Sequence, residues 1–399
     1  MKSALVLIAL LLPSPLAAAS AAPSAVIPAT IKSTSSVMDD AKNDETSSPM
    51  STYKHVVFSD VDGTLVHYPD NIQKGNAGNE ETDTELLYLP PSKSGSRGVI
   101  STRTLKLCHQ LRYRNASEEQ QRISNGGVPF VLVSGMRTTT LFQRLPYLPR
   151  ADAYVCESGG RIFYPRPIAD GMVKELTVHP VSYPGISPVD AAPFALVEDM
   201  QWRNRISQLD AAGNDGYDNE VLVETRRGKL WDYARTLTKQ GFVLDTSGYA
   251  TAFRVNRKYQ STDMAPKFDE FLEKCTNKES GTIPDGLNCA TNLGCVDVYP
   301  EMSGKRNCAE YLVQKFLGGG EDGSVSLKTH AYCLCDDDND IEMALACGAA
   351  YLPSVTSESI RNMVNSQVGN LVVTEDTDNG IVESLATEAA LEAILKELQ

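Results

Sequence analysis

The chain has little of what marks a disulfide scaffold, a zinc protein or a membrane bundle. Its 399 residues include nine cysteines, an odd number, and no two are spaced as C-x-x-C, so neither a zinc ribbon nor a redox pair is supported. No apolar run is long enough to span a bilayer. Basic residues are outnumbered by 51 acidic ones to 37, and the net charge of −14 opposes nucleic-acid binding through general phosphate attraction. With 42% hydrophobic residues, the composition predicts a soluble globular protein with one or two cores.

The first residues are typical of a targeting segment. Met1-Lys2 gives a positive start to the apolar run at residues 4–12, and Ala19-Ser20-Ala21 has the small-x-small form of a cleavage site, which predicts a signal peptide over residues 1–21. Residues 22–52 are rich in Ser, Thr, Ala and Pro, which predicts a disordered leader. We therefore expect entry into the secretory pathway, as a secreted or endomembrane-lumen protein, with no stable membrane anchor after cleavage. An uncleaved anchor, and import into a plastid through a bipartite leader, are the alternatives.

Three short apolar runs each end abruptly in an acid or a hydroxyl. They occupy residues 55–58, 129–133 and 331–335, and Asp60, Ser134 and Asp336 follow them. Such runs are typical of strands buried on both faces of a parallel sheet. Helical periodicity follows over residues 102–113, 307–317 and 340–347. The alternation predicts an α/β fold with a doubly wound parallel sheet, in which ligands sit outside the carboxyl ends of the strands.

Two stretches do not fit this alternation. Residues 70–98 are rich in Gly, Pro and polar side chains, which predicts a long loop beside the end of the first strand. Within residues 162–299, helices are predicted over 201–209 and 229–240 and strands over 252–255 and 295–299, enough for an inserted α+β domain. We therefore predict a core over residues 53–161 and 300–399, interrupted by an inserted domain over 162–299.

The sequence Asp60-Val61-Asp62-Gly63-Thr64 is the first candidate for chemistry. Two carboxylates two residues apart at a strand end can face one side, one placed to attack and the other to transfer a proton. Gly63 allows a sharp turn, which the hydroxyl of Thr64 can hold. A calcium loop or a simple polar turn is the alternative, but the preceding strand and the lack of a bidentate Glu at EF-hand spacing disfavour an EF-hand.

Three further groups follow in the chain. Ser134-Gly135 can donate hydrogen bonds to a phosphoryl oxygen, although such a pair after a strand more often forms a simple turn. Lys305 begins a predicted helix, where a cation opposes the helix dipole, so either a bound anion or simple solvent exposure accounts for it. The run from Asp336 to Asp340 holds four acids in five residues between a strand and a helix, and their repulsion favours a bound hard cation over a solvated loop.

The order of these four groups resembles the haloacid dehalogenase superfamily of phosphatases. The resemblance covers the chain from Tyr53 to the C-terminus, and the large insertion resembles a C2-type cap, as in the Cof-like and sucrose-phosphate phosphatase branches. Further matching stretches are residues 155–162, Asp297-Val298-Tyr299-Pro300, Asn339-Asp340-Ile341-Glu342-Met343 and Asp378-Asn379-Gly380-Ile381-Val382. The resemblance implies a Rossmann-like core.

The resemblance also implies residue roles. Asp60 would be the nucleophile that forms an aspartyl-phosphate, and Asp62 the general acid and base. The phosphate would be bound by Thr64, Ser134, Gly135, Lys305 and Asn339. A Mg²⁺ ion would be bound by Asp60, the backbone carbonyl of Asp62, Asp336 and Asp340. Three or four carboxylates facing a phosphate of about −2 repel it strongly, and one lysine cannot offset that charge.

The implied activity is Mg²⁺-dependent hydrolysis of a small phosphorylated metabolite, with a sugar phosphate as the class that the resemblance favours. A phosphosugar mutase and a non-catalytic sugar-phosphate-binding protein are the alternatives. The chain departs from the usual pattern at Cys335, where a Gly commonly precedes the fourth group, and at Met136-Arg137, where an Arg commonly follows Ser/Thr-Gly directly. In the inserted domain, Arg254, Asn256, Arg257 and Lys258 are candidates for substrate contacts, with a solvated basic turn as the alternative. The sequence does not indicate an oligomeric state.

Overall fold

A computed structural model describes most of the chain after residue 52. The described residues are 53–69, 86–91, 97–114, 121–123, 125–168, 176–210, 223–292, 294–319, 324–355, 357–374 and 382–399. They belong to one compact unit. The predicted signal peptide and leader lie outside the described residues, as do residues 378–381 of the last matching stretch.

The strands are mostly short. Within the described ranges they are β1 (Val56–Ser59), β2 (Leu86–Tyr88), β3 (Val99–Ser101), β4 (Phe130–Val133), β5 (Ala153–Cys156), β6 (Arg161–Pro167), β7 (Thr177–Val178), β8 (Phe194–Glu198), β9 (Leu244–Asp245), β10 (Phe253–Asn256), β11 (Leu287–Asn292), β12 (Cys295–Pro300), β13 (Ala331–Leu334), β14 (Ala349–Leu352) and β15 (Leu371–Val373).

The helices follow strands of the core or belong to the insertion. In chain order they are α1 (Thr102–Tyr113), α2 (Thr138–Arg144), α3 (Pro188–Ala191), α4 (Met200–Asp210), α5 (Lys229–Lys239), α6 (Ala265–Thr276), α7 (Lys305–Leu317), α8 (Leu327–His330), α9 (Ile341–Ala346), α10 (Glu358–Asn365) and α11 (Val382–Glu397). The five helices predicted from periodicity are present, with ends within two residues of the prediction. No described helix is both long and apolar enough to cross a membrane.

The largest sheet has nine strands in the order β15-β14-β13-β1-β4-β5-β6-β8-β7. The six strands from β15 to β5 are parallel, and β6, β8 and β7 extend the sheet with antiparallel pairing. Successive residues of β1 enter opposite apolar layers: Val57 packs in one, and Val56 and Phe58 pack in the other. Because the strand is buried on both faces, its sequence is an apolar run without polar alternation. The predicted α/β fold class is confirmed.

A second, antiparallel sheet has the order β11-β12-β10-β9, and α5 and α6 pack on it. One face buries Phe253, Val255 and Val298 against Trp231 and Phe268. Strands β6, β7 and β8 pair within the large sheet, although the predicted boundary assigns residues 162–198 to the inserted domain. The domain boundaries stay a prediction, and this sheet membership favours a later start for the insertion.

The segment predicted as one loop over residues 70–98 contains a strand. Leu86–Tyr88 pairs antiparallel with Val99–Ser101. Leu87 packs against the core, so the apolar side chains of this short stretch stabilise an extended conformation beside the first strand end. The other described residues of this segment, 89–91 and 97–98, follow β2 and precede β3.

Candidate active site

The first acid and the predicted lysine are in direct contact. Asp60 follows β1 and donates its backbone N–H to Leu334 O of the neighbouring strand (2.9 Å). Lys305 is the first residue of α7, and its Nζ donates to Asp60 Oδ1 at 2.7 Å. The lysine is only 5% exposed, so the alternative of a solvent-exposed lysine is wrong. A charged lysine at a buried helix start is stabilised here by acids from other strands.

The same ammonium group reaches the fourth group of the sequence. Lys305 Nζ donates to Asp340 Oδ1 at 2.6 Å and to Asn339 Oδ1 at 2.9 Å. The two nearby carboxylates, opposed by burial, raise the pKa of Lys305 well above its usual value. The charged form of Lys305 is therefore favoured by its two carboxylate partners.

Three carboxylates form a buried cluster. Asp60, Asp336 and Asp340 each offer an oxygen, and these atoms all lie within 4.8 Å of one another. Burial is the main cause that raises the pKa of all three, and it raises that of Asp340 to about 8. Their mutual repulsion adds to the effect, and one lysine does not balance three acids.

The cluster fits a hard divalent cation. Within the described structure, Oδ2 of Asp340 is buried without a hydrogen-bond partner. An orphaned carboxylate oxygen is costly in a protein interior, and carboxylate oxygens are the ligands that Mg²⁺ prefers. The carboxylate of Asp62 is not part of this cluster.

Gly63 and Thr64 fit closely around Asp336. Gly63 has φ = +86°, and a Cβ built there would lie 2.0 Å from Asp336 Oδ2, so glycine is required both by conformation and by space. Thr64 Oγ1 donates to Asp336 Oδ1 at 2.9 Å. The hydroxyl that the resemblance assigned to phosphate binding is thus used to orient an acid of the cluster, and its phosphate role stays a prediction.

The Asp62 carboxylate contacts two residues that the sequence did not single out. Its Oδ1 accepts hydrogen bonds from Arg144 Nη1, at 2.5 Å, and from the hydroxyl of Tyr68. Arg144 Nη2 also donates to the Tyr68 hydroxyl at 2.8 Å. Asp62 keeps 39% of its side chain exposed, whereas Arg144 is buried. This carboxylate is therefore held in place while it stays open to solvent.

Ser134 and Gly135 lie beside the acids because of strand pairing. Ser59 is level with Leu132 of β4 on one side and with Leu334 of β13 on the other. The residues that follow the three strands therefore leave the same edge of the sheet. Ser134 is buried, and its Oγ accepts from the backbone N–H of Met136 at 3.1 Å. A Cβ on Gly135 would lie 3.4 Å from Ser158 Oγ and 3.8 Å from Asp297 Oδ2, so the second sheet approaches this turn closely.

Glu157 ties this turn to the inserted sheet's connecting loop. Its Oε2 accepts from the backbone N–H groups of Ala250 (2.9 Å) and Thr251 (2.6 Å) and from Thr251 Oγ1 (2.7 Å). Both Glu157 and Ser158 have positive φ, 53° and 54°, which non-glycine residues rarely adopt. In the sequence, residues 155–162 stand out only through the resemblance, and no local pattern marks Glu157 as a buried carboxylate.

The inserted sheet presents charged side chains to the core. Arg254 on β10 forms a two-point pair with Asp297 on β12, through Nε at 2.5 Å and Nη2 at 2.6 Å. Arg137, from the core turn, forms a second two-point pair with Asp245 at 3.0 and 2.6 Å. In the usual pattern an Arg directly follows Ser/Thr-Gly, whereas here Arg137 comes one residue later. Its guanidinium forms a contact between the core and the insertion.

The other basic candidates of the insertion lie elsewhere. Arg257 Nε pairs with Asp269 of α6 at 2.6 Å, and both side chains are about half exposed. Asn256 Oδ1 accepts from the backbone N–H of Lys258 at 3.0 Å. Arg254 is thus the member of this group that lies at the candidate site. Cys335, the other departure, is buried, and burial together with its contact to Cys333 raises its pKa, as expected of an inert thiol.

Comparisons with known proteins give solved structures at low identity. No family model matches the chain, and no curated protein does. A sucrose-phosphatase from Synechocystis sp. PCC6803, solved with sucrose and phosphate, is 14% identical with a TM-score of 0.44, over 86% of this chain and 98% of that one.

Two further solved structures are similar to a lower degree. A haloacid dehalogenase-like hydrolase from Bacillus subtilis is 13% identical with a TM-score of 0.41, over 87% and 94% of the two chains. The C-terminal domain of a trehalose-6-phosphate phosphatase from C. albicans is 14% identical with a TM-score of 0.36, over 86% and 93%. All three TM-scores are below 0.5.

Proposed function

We propose that this protein is a Mg²⁺-dependent phosphatase that hydrolyses a small phosphate monoester, of the sugar-phosphate class, through an aspartyl-phosphate on Asp60. The observation on which this rests is the buried cluster of Asp60, Asp336 and Asp340 around Lys305 Nζ. A purely structural role is a poor explanation, because three acids and one cation in a protein interior leave uncompensated negative charge.

In the proposed reaction, the carboxylate of Asp60 attacks phosphorus, and the bond from phosphorus to the leaving oxygen breaks. A carboxylate nucleophile divides one difficult hydrolysis into two easier steps. Lys305 lies within 2.7 Å of Asp60 and offsets negative charge on the attacking group and on the transferred phosphoryl group. Water then cleaves the acyl-phosphate and restores Asp60.

Asp62 supplies the proton in this proposal. It is two residues from the nucleophile and is the more exposed of the two carboxylates, so it can exchange protons with water between turnovers. Arg144 and Tyr68 fix its position without closing it off. In the second step the same carboxylate would take a proton from the attacking water.

The acids Asp60, Asp336 and Asp340, with the backbone carbonyl of Asp62, would hold the Mg²⁺ ion. When bound, the ion screens the carboxylates from the phosphate and neutralises charge that develops during phosphoryl transfer. Thr64 and Gly63 keep Asp336 in place for this role through the contact at 2.9 Å and through their tight turn.

The charge pairs at the inserted sheet favour a substrate whose leaving group is uncharged and rich in hydroxyls. Arg254 of the inserted sheet and Arg137 of the core turn are each paired with a carboxylate of the inserted sheet, so their positive charges are already compensated. Paired Arg and Asp groups offer donors and acceptors side by side, which suits the hydroxyls of a sugar better than a second phosphate.

The decisive test is release of inorganic phosphate by residues 22–399 from a panel of phosphate esters, with Mg²⁺ and with EDTA. We expect turnover of sugar phosphates that stops in EDTA and in Asp60→Asn. Asp337→Asn is the matched control, because Asp337 Oδ1 accepts from the Asp338 N–H and an amide oxygen can do the same. Substrate isomerisation without phosphate release would indicate a mutase, and binding without turnover would indicate a binding protein.

The predicted secretory route remains part of the proposal. N-terminal sequencing of the mature protein from its native cell tests it. A start near residue 22 supports signal cleavage, and an intact Met1 contradicts it.

A further inference from the structure

The turn at residues 157–159 contacts two elements that carry predicted phosphate ligands. It directly follows β5, and the backbone N–H of Ser158 donates to Ser134 O at 3.2 Å. On its other side, a Cβ built on Gly159 would lie 2.4 Å from Gly304 O, the residue before α7 begins. The turn therefore lies against both the turn that holds Ser134 and the start of α7.

All three residues of this turn have left-handed backbone angles. Glu157 has φ = 53°, Ser158 has φ = 54° and Gly159 has φ = 92°. Glycine adopts such angles freely, whereas two consecutive non-glycine residues there store conformational strain. Strain of this kind persists only where the surrounding contacts hold it, and it is concentrated at functional sites.

Hydrogen bonds of Glu157 hold this strained turn. Besides the donors of the inserted domain, its carboxylate accepts from the hydroxyl of Thr138 on α2, and its backbone N–H donates to Met136 O at 2.9 Å. These bonds account for the conformation of Glu157. Among the described residues, Ser158 is bonded through its backbone N–H and not through its hydroxyl. The hydroxyl of Ser158 is therefore available to a ligand.

The Ser158 hydroxyl lies beside the glycine of the predicted phosphate turn. A Cβ on Gly135 would be 3.4 Å from Ser158 Oγ and 3.8 Å from Asp297 Oδ2 of the inserted sheet. Since Gly135 has no side chain, these two polar groups approach one point beside the turn. Ser158 is only 6% exposed, so a hydrogen bond made there would be shielded from water. A serine hydroxyl both donates and accepts, which suits the oxygens of a sugar.

We propose that Ser158 is a specificity-determining residue, whose hydroxyl donates a hydrogen bond to an oxygen of the sugar close to the phosphate ester. The inference rests on the proposed function and extends substrate recognition from the inserted sheet to the core. Because Ser158 Oγ lies beside the phosphate turn, it contacts the part of the leaving group next to the ester and not the far end of the sugar. A p-nitrophenyl group presents ring carbons at that place, so it gains nothing from this contact.

The test is the kinetics of residues 22–399 on glucose 6-phosphate and on p-nitrophenyl phosphate, with Mg²⁺. Ser158→Ala and Ser158→Gly both remove the hydroxyl, whereas only glycine relieves the strain of the positive φ. We expect both variants to lower kcat/KM for glucose 6-phosphate about 3- to 10-fold relative to that for p-nitrophenyl phosphate, the range of a neutral hydrogen bond. Gln367→Gly is the matched control and should leave this ratio unchanged. Gln367 is exposed, has φ = 54° and precedes β15, at the opposite edge of the core sheet.

An unchanged ratio in both Ser158 variants would overturn the contact and leave the proposed function in place. A loss in only one of them would assign the effect to the conformation of the turn and would also overturn it. Phosphate release from neither ester would count against the proposed function instead. If the wild type does not hydrolyse glucose 6-phosphate, calorimetric titration with that compound decides the contact. Weaker binding by both Ser158 variants than by Gln367→Gly supports it, and equal or absent binding overturns it.

Discussion

Lys305 Nζ lies 2.7 Å from Asp60 Oδ1, although 245 positions separate the two residues in the chain. The large insertion between them does not disturb the contact, because α7 returns the chain to the same edge of the core sheet. The ammonium also reaches Asp340, so one cation organises acids that follow two neighbouring strands. This arrangement is the physical basis of the proposed chemistry.

The first prediction concerns this lysine. Lys305→Met keeps much of the side chain's length but removes its charge, so we expect phosphate release to fall by about 10²–10³-fold in kcat. Arg306→Met is the matched control, because Arg306 pairs with Glu310 on the same exposed side of the helix. Steady-state kinetics on p-nitrophenyl phosphate measure both. Wild-type kcat in folded Lys305→Met would refute the role of the lysine.

The second prediction concerns the metal. Mg²⁺ should raise the thermal unfolding midpoint, since a ligand at a hundred times its Kd adds about 2.7 kcal/mol to the free energy of unfolding. Asp340→Asn removes one charge from the cluster and should abolish this shift. Asp337→Asn in the same loop should retain it. Thermal unfolding in EDTA and in Mg²⁺ provides the measurement, and an equal shift in wild type and Asp340→Asn would show that the ion binds elsewhere.

The third prediction concerns proton transfer by Asp62. Asp62→Asn should lower kcat about 10²–10⁴-fold for a sugar phosphate, whose alkoxide leaving group needs a proton. The loss should be much smaller for p-nitrophenyl phosphate, which leaves as a stable phenolate. Comparing the two substrates measures the difference. Equal losses on both would assign Asp62 a role other than acid catalysis.

The sequence predicted those site residues that are marked by a pattern in their own short stretch of chain. Asp60, Ser134 and Asp336 were identified because each directly follows a buried strand, and parallel strands bring such positions to one edge. Lys305 was identified as a cation at a helix start. Thr64 was assigned to phosphate, but its hydroxyl donates to Asp336 Oδ1, a partner 272 positions away that no local pattern indicates.

Other residues could not be predicted from local patterns. Arg144 belongs to none of the sequence motifs, and tertiary packing brings it to Asp62, 82 positions away in the chain. Glu157 likewise finds its donors 93 and 94 positions away. The strand Leu86–Tyr88 was missed because three residues are too few to show alternation within a Gly- and Pro-rich stretch.

The fourth prediction concerns acid sensitivity. His67 is buried, Nε2 contacts Thr387 Oγ1 at 3.0 Å, and burial lowers its pKa from 6.5 to about 3. The unfolded chain therefore binds a proton that the folded chain does not, so the free energy of unfolding should fall as pH drops from about 6.5 towards 3. His67→Gln should lose this part of the slope, and the exposed His179→Gln should keep it. Urea denaturation at several pH values tests the difference; parallel curves for wild type and His67→Gln would contradict it.

The last prediction separates two arginines of the inserted domain. Arg254 pairs with Asp297, whose Oδ2 lies close to the Ser134-Gly135 turn, whereas Arg257 pairs with the exposed side chain of Asp269 on α6. If Arg254 contacts the leaving group, Arg254→Ala should raise KM for the sugar phosphate about 10- to 100-fold, the range of a hydrogen bond to a charged group.

Arg254→Ala should hardly affect p-nitrophenyl phosphate, because contacts remote from the reacting atoms supply binding and orientation to substrates that have matching groups. Arg257→Ala is the matched control, of the same residue type and three positions along the chain, and should leave KM for both substrates unchanged. Asp297→Asn should resemble Arg254→Ala, since it frees the guanidinium from its two-point pair. Equal losses on both substrates in Arg254→Ala would indicate a general electrostatic or folding effect. An effect of Arg257→Ala as large as that of Arg254→Ala would indicate that the substrate is contacted beside α6 instead.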